Sequence, residues 1–231
     1  TAFTPVFAKV PGGLLHSNIA VCTLFGAVSG SSLSTAAAVG SVAYPEMSKR
    51  GYDKEAVVGS LAGGGTLGLL IPPSLSLLIF GALTETSIGR LFVAGVIPGL
   101  LVSALFMAYI FFLCLRQPQI APRWKEDISV WAVLRGMVQI WPILLLILSI
   151  MGSIMFGLAT PTEAAGVGVF VAIIISFAWG DLTLAKLAAA VQRSVLLFTS
   201  IGFIVLGAAI LSQSVSILGI PQSILEMAIN S

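Results

Sequence analysis

Over residues 91–115 the chain carries no charged side chain. A helix over that run, at about 1.5 Å per residue, is long enough to cross the roughly 30 Å hydrocarbon core of a bilayer. Further apolar stretches occupy 14–45, 55–84, 140–158, 164–179 and 195–218. Apolar residues make up 58% of the 231 and charged ones 9%, with mean hydropathy +1.08. A water-soluble domain carries about a quarter charged residues, so an ordinary soluble fold is excluded. The fold class expected is an all-α polytopic membrane protein, multi-pass in the lipid bilayer. A net charge of +2 and a pI near 8.7 are too mild for a nucleic-acid partner, so none is expected.

Two of the apolar stretches are interrupted, and the interruptions organise the reading. In 14–45 the cluster Val28-Ser29-Gly30-Ser31-Ser32 breaks the helix at its middle. Lys9 precedes the stretch and Lys49, Arg50 and Lys54 follow it. Under the positive-inside rule both ends lie in the cytoplasm, which makes a re-entrant hairpin with its serine-rich turn at the tip. In 55–84 the run Gly63-Gly64-Gly65-Thr66-Leu67-Gly68 leads into Ile71-Pro72-Pro73-Ser74. An interior proline costs a helix about 3 kcal/mol. A broken helix with halves 55–62 and 75–83 is expected, with exposed backbone between them. In lipid such backbone survives only where protein buries it or water reaches it.

Beyond 91–115 the chain returns to a basic loop with Arg116, Arg123 and Lys125. Glu126-Asp127-Ile128-Ser129 opens a mixed helix expected to lie along the interface through Gln139. A span over 140–158 ends at Ala159-Thr160-Pro161-Thr162-Glu163, with Thr162 as the expected cap, and 164–179 crosses back. Asp181-Leu182-Thr183 then starts a second basic helix, with Lys186 and Arg193, before the span 195–218. The paired acidic starts give a faint internal repeat, and repeated halves are usual in secondary transporters. The organisation expected is therefore 1–90, hairpin and broken helix; 91–125, span and cytoplasmic loop; 126–180, interfacial arm and two spans; 181–231, second arm and span. The opening at Thr1 and the apolar C-terminal run lead us to expect a segment of a longer protein.

Chemistry concentrates at the interruptions. Unwound carbonyls and Ser or Thr oxygens suit a dehydrated alkali cation, and half-helix N-termini suit a carboxylate. Neither interruption holds an acidic residue, which argues against Ca²⁺ or Mg²⁺ and leaves Na⁺. The competing reading of the same residues is packing through small side chains, as at Gly26 and Gly30, Gly59 and Gly63, or Gly95 and Gly99. Asn18 is polar within the first hairpin arm and either bonds across helices or reaches the site. Glu163 reads as a capping acid, and Glu85 and Arg90 as loop charges. Cys22 and Cys114 read as buried packing thiols with no metal spacing. His16 is the only histidine, about 20 Å of helix from the serine cluster, which excludes a local Ser–His dyad. No Gly-x-x-x-x-Gly-Lys-Ser/Thr loop occurs, so no ATP hydrolysis is assigned. No enzyme role and no cofactor are expected.

The motifs closely resemble the large membrane subunit of tripartite ATP-independent periplasmic (TRAP) transporters, the DctM-like family. They are Ser29-Gly30-Ser31-Ser32, Pro45-Glu46-Met47 with Gly51-Tyr52, Gly64-Gly65-Thr66-Leu67-Gly68 with Ile71-Pro72-Pro73-Ser74, Phe92-Val93-Ala94-Gly95 with Pro98-Gly99, and Ala159-Thr160-Pro161-Thr162-Glu163-Ala164-Ala165. They occur in the family's order over most of the chain. The resemblance implies an elevator-type, Na⁺-coupled importer of small organic acids of the sialic-acid or C4-dicarboxylate type. It implies a periplasmic substrate-binding protein and a small four-helix membrane subunit, separate or fused, as partners in the bacterial inner membrane. It also implies two inverted repeats, the second hairpin following Ser231. By the same resemblance Ser29, Gly30, Ser31, Ser32, Gly65, Thr66 and Gly68 hold Na⁺. Pro72, Pro73 and Ser74, with Asn18, shape the substrate cavity at the helix break. A channel-like subunit and a non-transporting structural subunit remain the alternatives.

Overall fold

Helix ends in this chain are set by three devices: serine, threonine or aspartate caps, a left-handed glycine, and proline. The computed structural model describes residues 10–122, 140–180 and 182–219, with Phe7, Trp131, Gly136, Val138, Pro221, Gln222, Glu226 and Ile229. Among the described residues the structure is helical throughout, without strands. It divides into two compact units, Thr1–Ile175 and Ser176–Ser231.

In the first unit, α1 (Leu14–Ser29) and α2 (Ser32–Lys49) form a helical hairpin. Gly30 separates them at φ 60°, a left-handed conformation that glycine adopts without the steric cost a Cβ brings. Ser31 then caps α2, its hydroxyl accepting from Ser34 N at 3.4 Å. The arms extend into the break expected over Val28–Ser32, which narrows to Gly30 and Ser31, and α2 continues through Pro45. Tyr52 ties the base of the hairpin: Leu14 N donates to its phenol oxygen at 3.2 Å. Burial pushes that phenol above its ordinary range, so it stays protonated at neutral pH.

Asp53 caps α3 (Lys54–Leu70), accepting from Ala56 N at 2.9 Å. Here the structure corrects the expected break. Helix α3 does not end at residue 62 but passes unbroken through Gly63, Gly64 and Gly65, and only Ile71–Ser74 interrupts it. Glycine lowers helix propensity by about 1 kcal/mol yet keeps its N–H, so the backbone ladder survives. Proline removes the donor outright. Ser74 caps α4 (Leu75–Leu83), accepting from Leu77 N at 3.2 Å, so the second half begins where expected.

After a turn, α5 (Ile88–Arg116) covers the charge-free run, and a short 3₁₀ turn (Pro118–Ile120) follows. Apart from Trp131, Gly136 and Val138, the interfacial helix expected over 126–139 lies outside the described residues, as do Lys9, Arg123, Lys125 and Asp181. Helix α6 (Trp141–Met155) stops short of residue 158 and, at about 22 Å, is shorter than the roughly 30 Å hydrocarbon core. At α7 (Pro161–Ala178) the cap is Thr160, not Thr162. Thr160 N and Oγ1 each donate to Glu163 Oε2 at 2.8 Å, while Glu163 N donates to Thr160 Oγ1 at 3.4 Å. This reciprocal box puts proline at the first helical position, where its missing N–H costs nothing.

The core of the first unit joins Leu15, Ile19 and Cys22 of α1 to Val39 and Met47 of α2, Val57 and Leu67 of α3, and Ile110 and Cys114 of α5. Both cysteines are free and buried. In the second unit Thr183 caps α8 (Leu184–Ile217) by accepting from Lys186 N at 3.2 Å. The arm and the span expected separately are one continuous helix of 34 residues, because nothing between Lys186 and Leu218 removes a donor. Among the described residues four helical segments are long and apolar enough to cross a membrane: Lys54–Leu83, counted across its break, Ile88–Arg116, Pro161–Ala178 and Leu184–Ile217.

Candidate functional site: the hairpin tip against the helix break

The hairpin tip lies directly on the interruption between α3 and α4. Leu75 N, at the start of α4, donates to the Gly30 carbonyl at 3.3 Å. A Cβ on Gly30 would lie 3.3 Å from both Leu75 N and Pro73 O. The C-terminal ends of α1 and α3 and the N-terminal ends of α2 and α4 therefore converge on one place. Carbonyl-rich and amide-rich helix ends carry opposite partial charges, so this point presents both polarities without an ionised side chain.

The tip is held by a small oxygen cluster. Ser29 Oγ and Thr35 Oγ1 are 2.7 Å apart, and Thr35 Oγ1 donates to the Ser31 carbonyl at 2.7 Å. Ser29 Oγ lies 3.2 Å from the same carbonyl. Thr35 is completely buried and was absent from the sequence-based set. Its signal was its place one helical turn after Ser31, on the same face of α2.

The glycines of α3 face this cluster at close range. A Cβ on Gly68 would lie 2.7 Å from Thr35 Oγ1 and 2.8 Å from Ser31 O. On Gly65 it would lie 2.8 Å from Ala36 Cβ and 3.2 Å from Ser32 O. Gly26 of α1 approaches from the other arm, where a Cβ would lie 2.8 Å from Gly68 Cα. These small residues therefore pack α3 against both arms of the hairpin at the tip. Two carbonyls of α3 also lack their usual donors. Gly68 and Leu69 would bond to the N–H groups four residues on, and those residues are Pro72 and Pro73. The Pro72–Pro73 peptide is cis.

The structure thus brings Ser29, Gly30, Ser31 and Ser32 together with Gly65, Gly68, Pro73 and Ser74. Pro72 is buried at the same break, against α5: a Cβ on Gly95 would lie 3.1 Å from its ring. Thr66 is exposed, and its hydroxyl donates to the Gly63 carbonyl of its own helix at 2.6 Å. Asn18 lies about 16 Å of helix below Ser29. There it donates to Ser60 Oγ at 3.0 Å and to Met47 Sδ at 3.2 Å, joining α1 to α3 and α2. Of its two readings the structure bears out the cross-helix bond. His16, on the same arm, shares a 2.8 Å hydrogen bond with the Pro11 carbonyl and stacks on Phe7.

Ser-Gly-Ser-Ser at the hairpin tip and Ile-Pro-Pro-Ser at the helix break thus meet at one place. The family described as tripartite ATP-independent periplasmic transporter, DctM component, matches residues 2–231. The chain belongs to this family. It is 37% identical over 216 residues to the C4-dicarboxylate TRAP transporter large permease protein DctM of Pseudomonas aeruginosa, covering 93% of this chain and 50% of that one. With the ectoine/5-hydroxyectoine TRAP transporter large permease protein UehC of Ruegeria pomeroyi it shares 38% over 220 residues, 94% of this chain and 50% of that one. The sialic acid TRAP transporter permease protein SiaT of Haemophilus influenzae is 35% identical over 185 residues, 76% of this chain and 28% of that one. This DctM-family chain spans about half the length of the first two relatives. Family and helices together make it a multi-pass membrane protein of a transporter permease family.

Proposed function

We propose that this chain carries one half of the transport site of a Na⁺-coupled importer of small organic acids. The observation that carries the reading is the Gly30–Leu75 contact, which closes the hairpin tip on the helix break. Ser29 Oγ, Thr35 Oγ1 and the Ser31 and Gly68 carbonyls supply neutral oxygens, a donor set suited to a monovalent hard cation. A divalent ion would call for carboxylates, and none is among these residues. The N-terminal turns of α2 and α4, capped by Ser31 and Ser74, present amides to a substrate carboxylate. Ser32 opens the first of these turns, and Gly65 lets α2 approach α3. Thr66 acts away from the ion, since its hydroxyl is bonded within α3.

The relatives support the substrate class. C4-dicarboxylates, ectoines and sialic acids differ in size and net charge but all carry a carboxylate. The same family likeness supports a periplasmic substrate-binding protein and a small membrane subunit as partners, the bacterial inner membrane as location, and an elevator motion of paired inverted repeats. Uptake of candidate acids is measured in proteoliposomes containing the full-length protein and its partners, with and without an inward Na⁺ gradient. Gradient-dependent, saturable uptake weakened by Ser29→Ala and Thr35→Val is the expected result. Ion current without saturable flux would replace the transporter by a channel, and uptake indifferent to Na⁺ would remove the coupling.

A further inference from the structure

A groove of about 600 Å³ lies between the first half of α3 and the second half of α5. Ala56, Gly59 and Gly63 of α3 form one wall, and Phe106, Ile110 and Leu113 of α5 the other. The glycines make the room. A Cβ on Gly59 would meet nothing within 4 Å, and one on Gly63 would touch the Phe106 ring at 3.5 Å. Along α3 the groove runs about 12 Å, from Glu55 to Gly63. Both helices belong to segments apolar enough to cross a membrane, so it starts at the polar ends of two spans and runs into hydrocarbon.

The groove stops at Phe106. Beyond it Ser103 of α5 shares a 2.8 Å hydrogen bond with Thr23 of α1, and a Cβ on Gly99 would lie 2.7 Å from the Ile71 side chain. A reach from one surface to mid-depth, about half of the roughly 30 Å hydrocarbon core, is that of a lipid tail from one leaflet. A crossing helix would use the whole span. In hydrocarbon the groove is filled, because an empty one forfeits the contacts of every atom lining it.

The polar end selects the head. Asp53, Glu55, Gln117 and Gln119 line it, and none of the described lining residues is Lys, Arg or His. Asp53 spends one carboxylate oxygen on the Ala56 N–H. Glu55 is exposed and has no hydrogen-bond or ion-pair partner among the described residues. A purely anionic head would meet two carboxylates. A quaternary ammonium would bring charge without an N–H to donate, whereas a primary ammonium brings both.

We propose that this groove holds one tail of a phospholipid with a primary-ammonium headgroup, whose ammonium lies among Asp53, Glu55 and the two glutamines. The site is separate from the hairpin tip and does not depend on whether the tip holds Na⁺.

The test titrates the detergent-purified full-length protein with dioleoyl phosphatidylethanolamine, phosphatidylglycerol and phosphatidylcholine, reading bound lipid by native mass spectrometry. Phosphatidylethanolamine should bind about fivefold more tightly than the other two. In Asp53→Asn/Glu55→Gln, which keeps a capping side chain at 53, the three should come within about twofold of one another. Gly59→Leu should abolish the preferred binding without lowering the midpoint of thermal unfolding, since leucine favours the helix and projects into open space. Equal binding of the three lipids by the parent protein would overturn the assignment. So would a preference that survives the double replacement, or Gly59→Leu binding phosphatidylethanolamine as the parent does. Absence of bound lipid would overturn it too, and a lowered midpoint in Gly59→Leu would then identify a neighbouring helix as the occupant.

Discussion

Two stretches of this chain carry the same local signature, small residues inside apolar sequence, and they fold in opposite ways. At Ser29-Gly30-Ser31-Ser32 the helix ends, turns and restarts. At Gly63-Gly64-Gly65 it runs straight through. The difference is not propensity, since three glycines cost more than one. At the tip Gly30 is left-handed and Ser31 caps the next helix. At the triple glycine every N–H remains available to the ladder, and in hydrocarbon an unpaired backbone group costs more than the roughly 1 kcal/mol a glycine does. Helix α3 therefore stops only where Pro72 and Pro73 take donors away. The glycines serve contact instead, letting α3 lie against both arms of the hairpin where helices gain little from hydrophobicity alone.

The largest expected effect comes from filling that contact. A Cβ at Gly68 meets the Ser31 carbonyl at 2.8 Å, and backbone cannot swing away as a side chain would. Gly68→Ala should lower stability by about 1–3 kcal/mol, read as a reduced midpoint of thermal unfolding in detergent. It should also remove Na⁺-dependent uptake, because the tip can no longer lie on α3. Unchanged unfolding would mean that the hairpin and α3 are not in close contact.

Restoring the missing donors comes next. In Pro72→Ala/Pro73→Ala, N–H groups reappear opposite the Gly68 and Leu69 carbonyls, and α3 should extend toward α4. If those carbonyls hold the ion as proposed, uptake should fall by at least about tenfold. The amides newly present at residues 72 and 73 should exchange as slowly as those of the helix before them. Rapid exchange there would show that the break is held by the tip and not by the prolines.

A smaller effect separates two threonines. Thr35→Val keeps the shape and removes a hydroxyl that bonds both Ser29 and Ser31. It should cost about 1 kcal/mol and raise the apparent Na⁺ requirement about fivefold. Thr66→Val removes only a bond within α3 and should leave uptake within twofold of the parent (about 0.4 kcal/mol). A reversed order would return Thr66 to the ion and free Thr35.

These pairs show where the sequence was legible. The hairpin, its turn and the start of α4 could be read because each is set by residues next to each other: Gly30 with Ser31, Pro73 with Ser74. The extent of α3 could not, because whether a glycine interrupts a helix depends on what packs against it, and Ala36 and Thr35 lie far away in sequence. Asn18 shows the same limit. Its polarity marked it as unusual, but its partners Ser60 and Met47 come from two other helices. Thr66 was grouped with Gly65 and Gly68 by adjacency, yet one residue in a helix turns the side chain by 100°, enough to take it from the packed face to the exposed one. Caps behaved similarly: Thr160 and Thr162 flank the proline that opens α7, and the cap is Thr160, which has Glu163 three residues on.

The smallest effect tests the comparison within the triple glycine itself. A Cβ at Gly63 would come to 3.5 Å from the Phe106 ring, an ordinary contact, and at Gly59 it would meet nothing within 4 Å. If these glycines were needed to break or bend α3, alanine at either position would damage the protein. If α3 is a continuous helix, alanine should stabilise it by up to about 1 kcal/mol, since it removes the conformational freedom glycine brings to the unfolded chain. Thermal unfolding of Gly59→Ala and Gly63→Ala, set beside Gly65→Ala, should give two unchanged or raised midpoints and one lowered. The lowered one belongs to Gly65, whose added methyl would press on Ala36 Cβ at 2.8 Å. Equal loss at all three positions would mean that α3 needs its glycines for flexibility and not for contact, and the contrast with the hairpin tip would disappear.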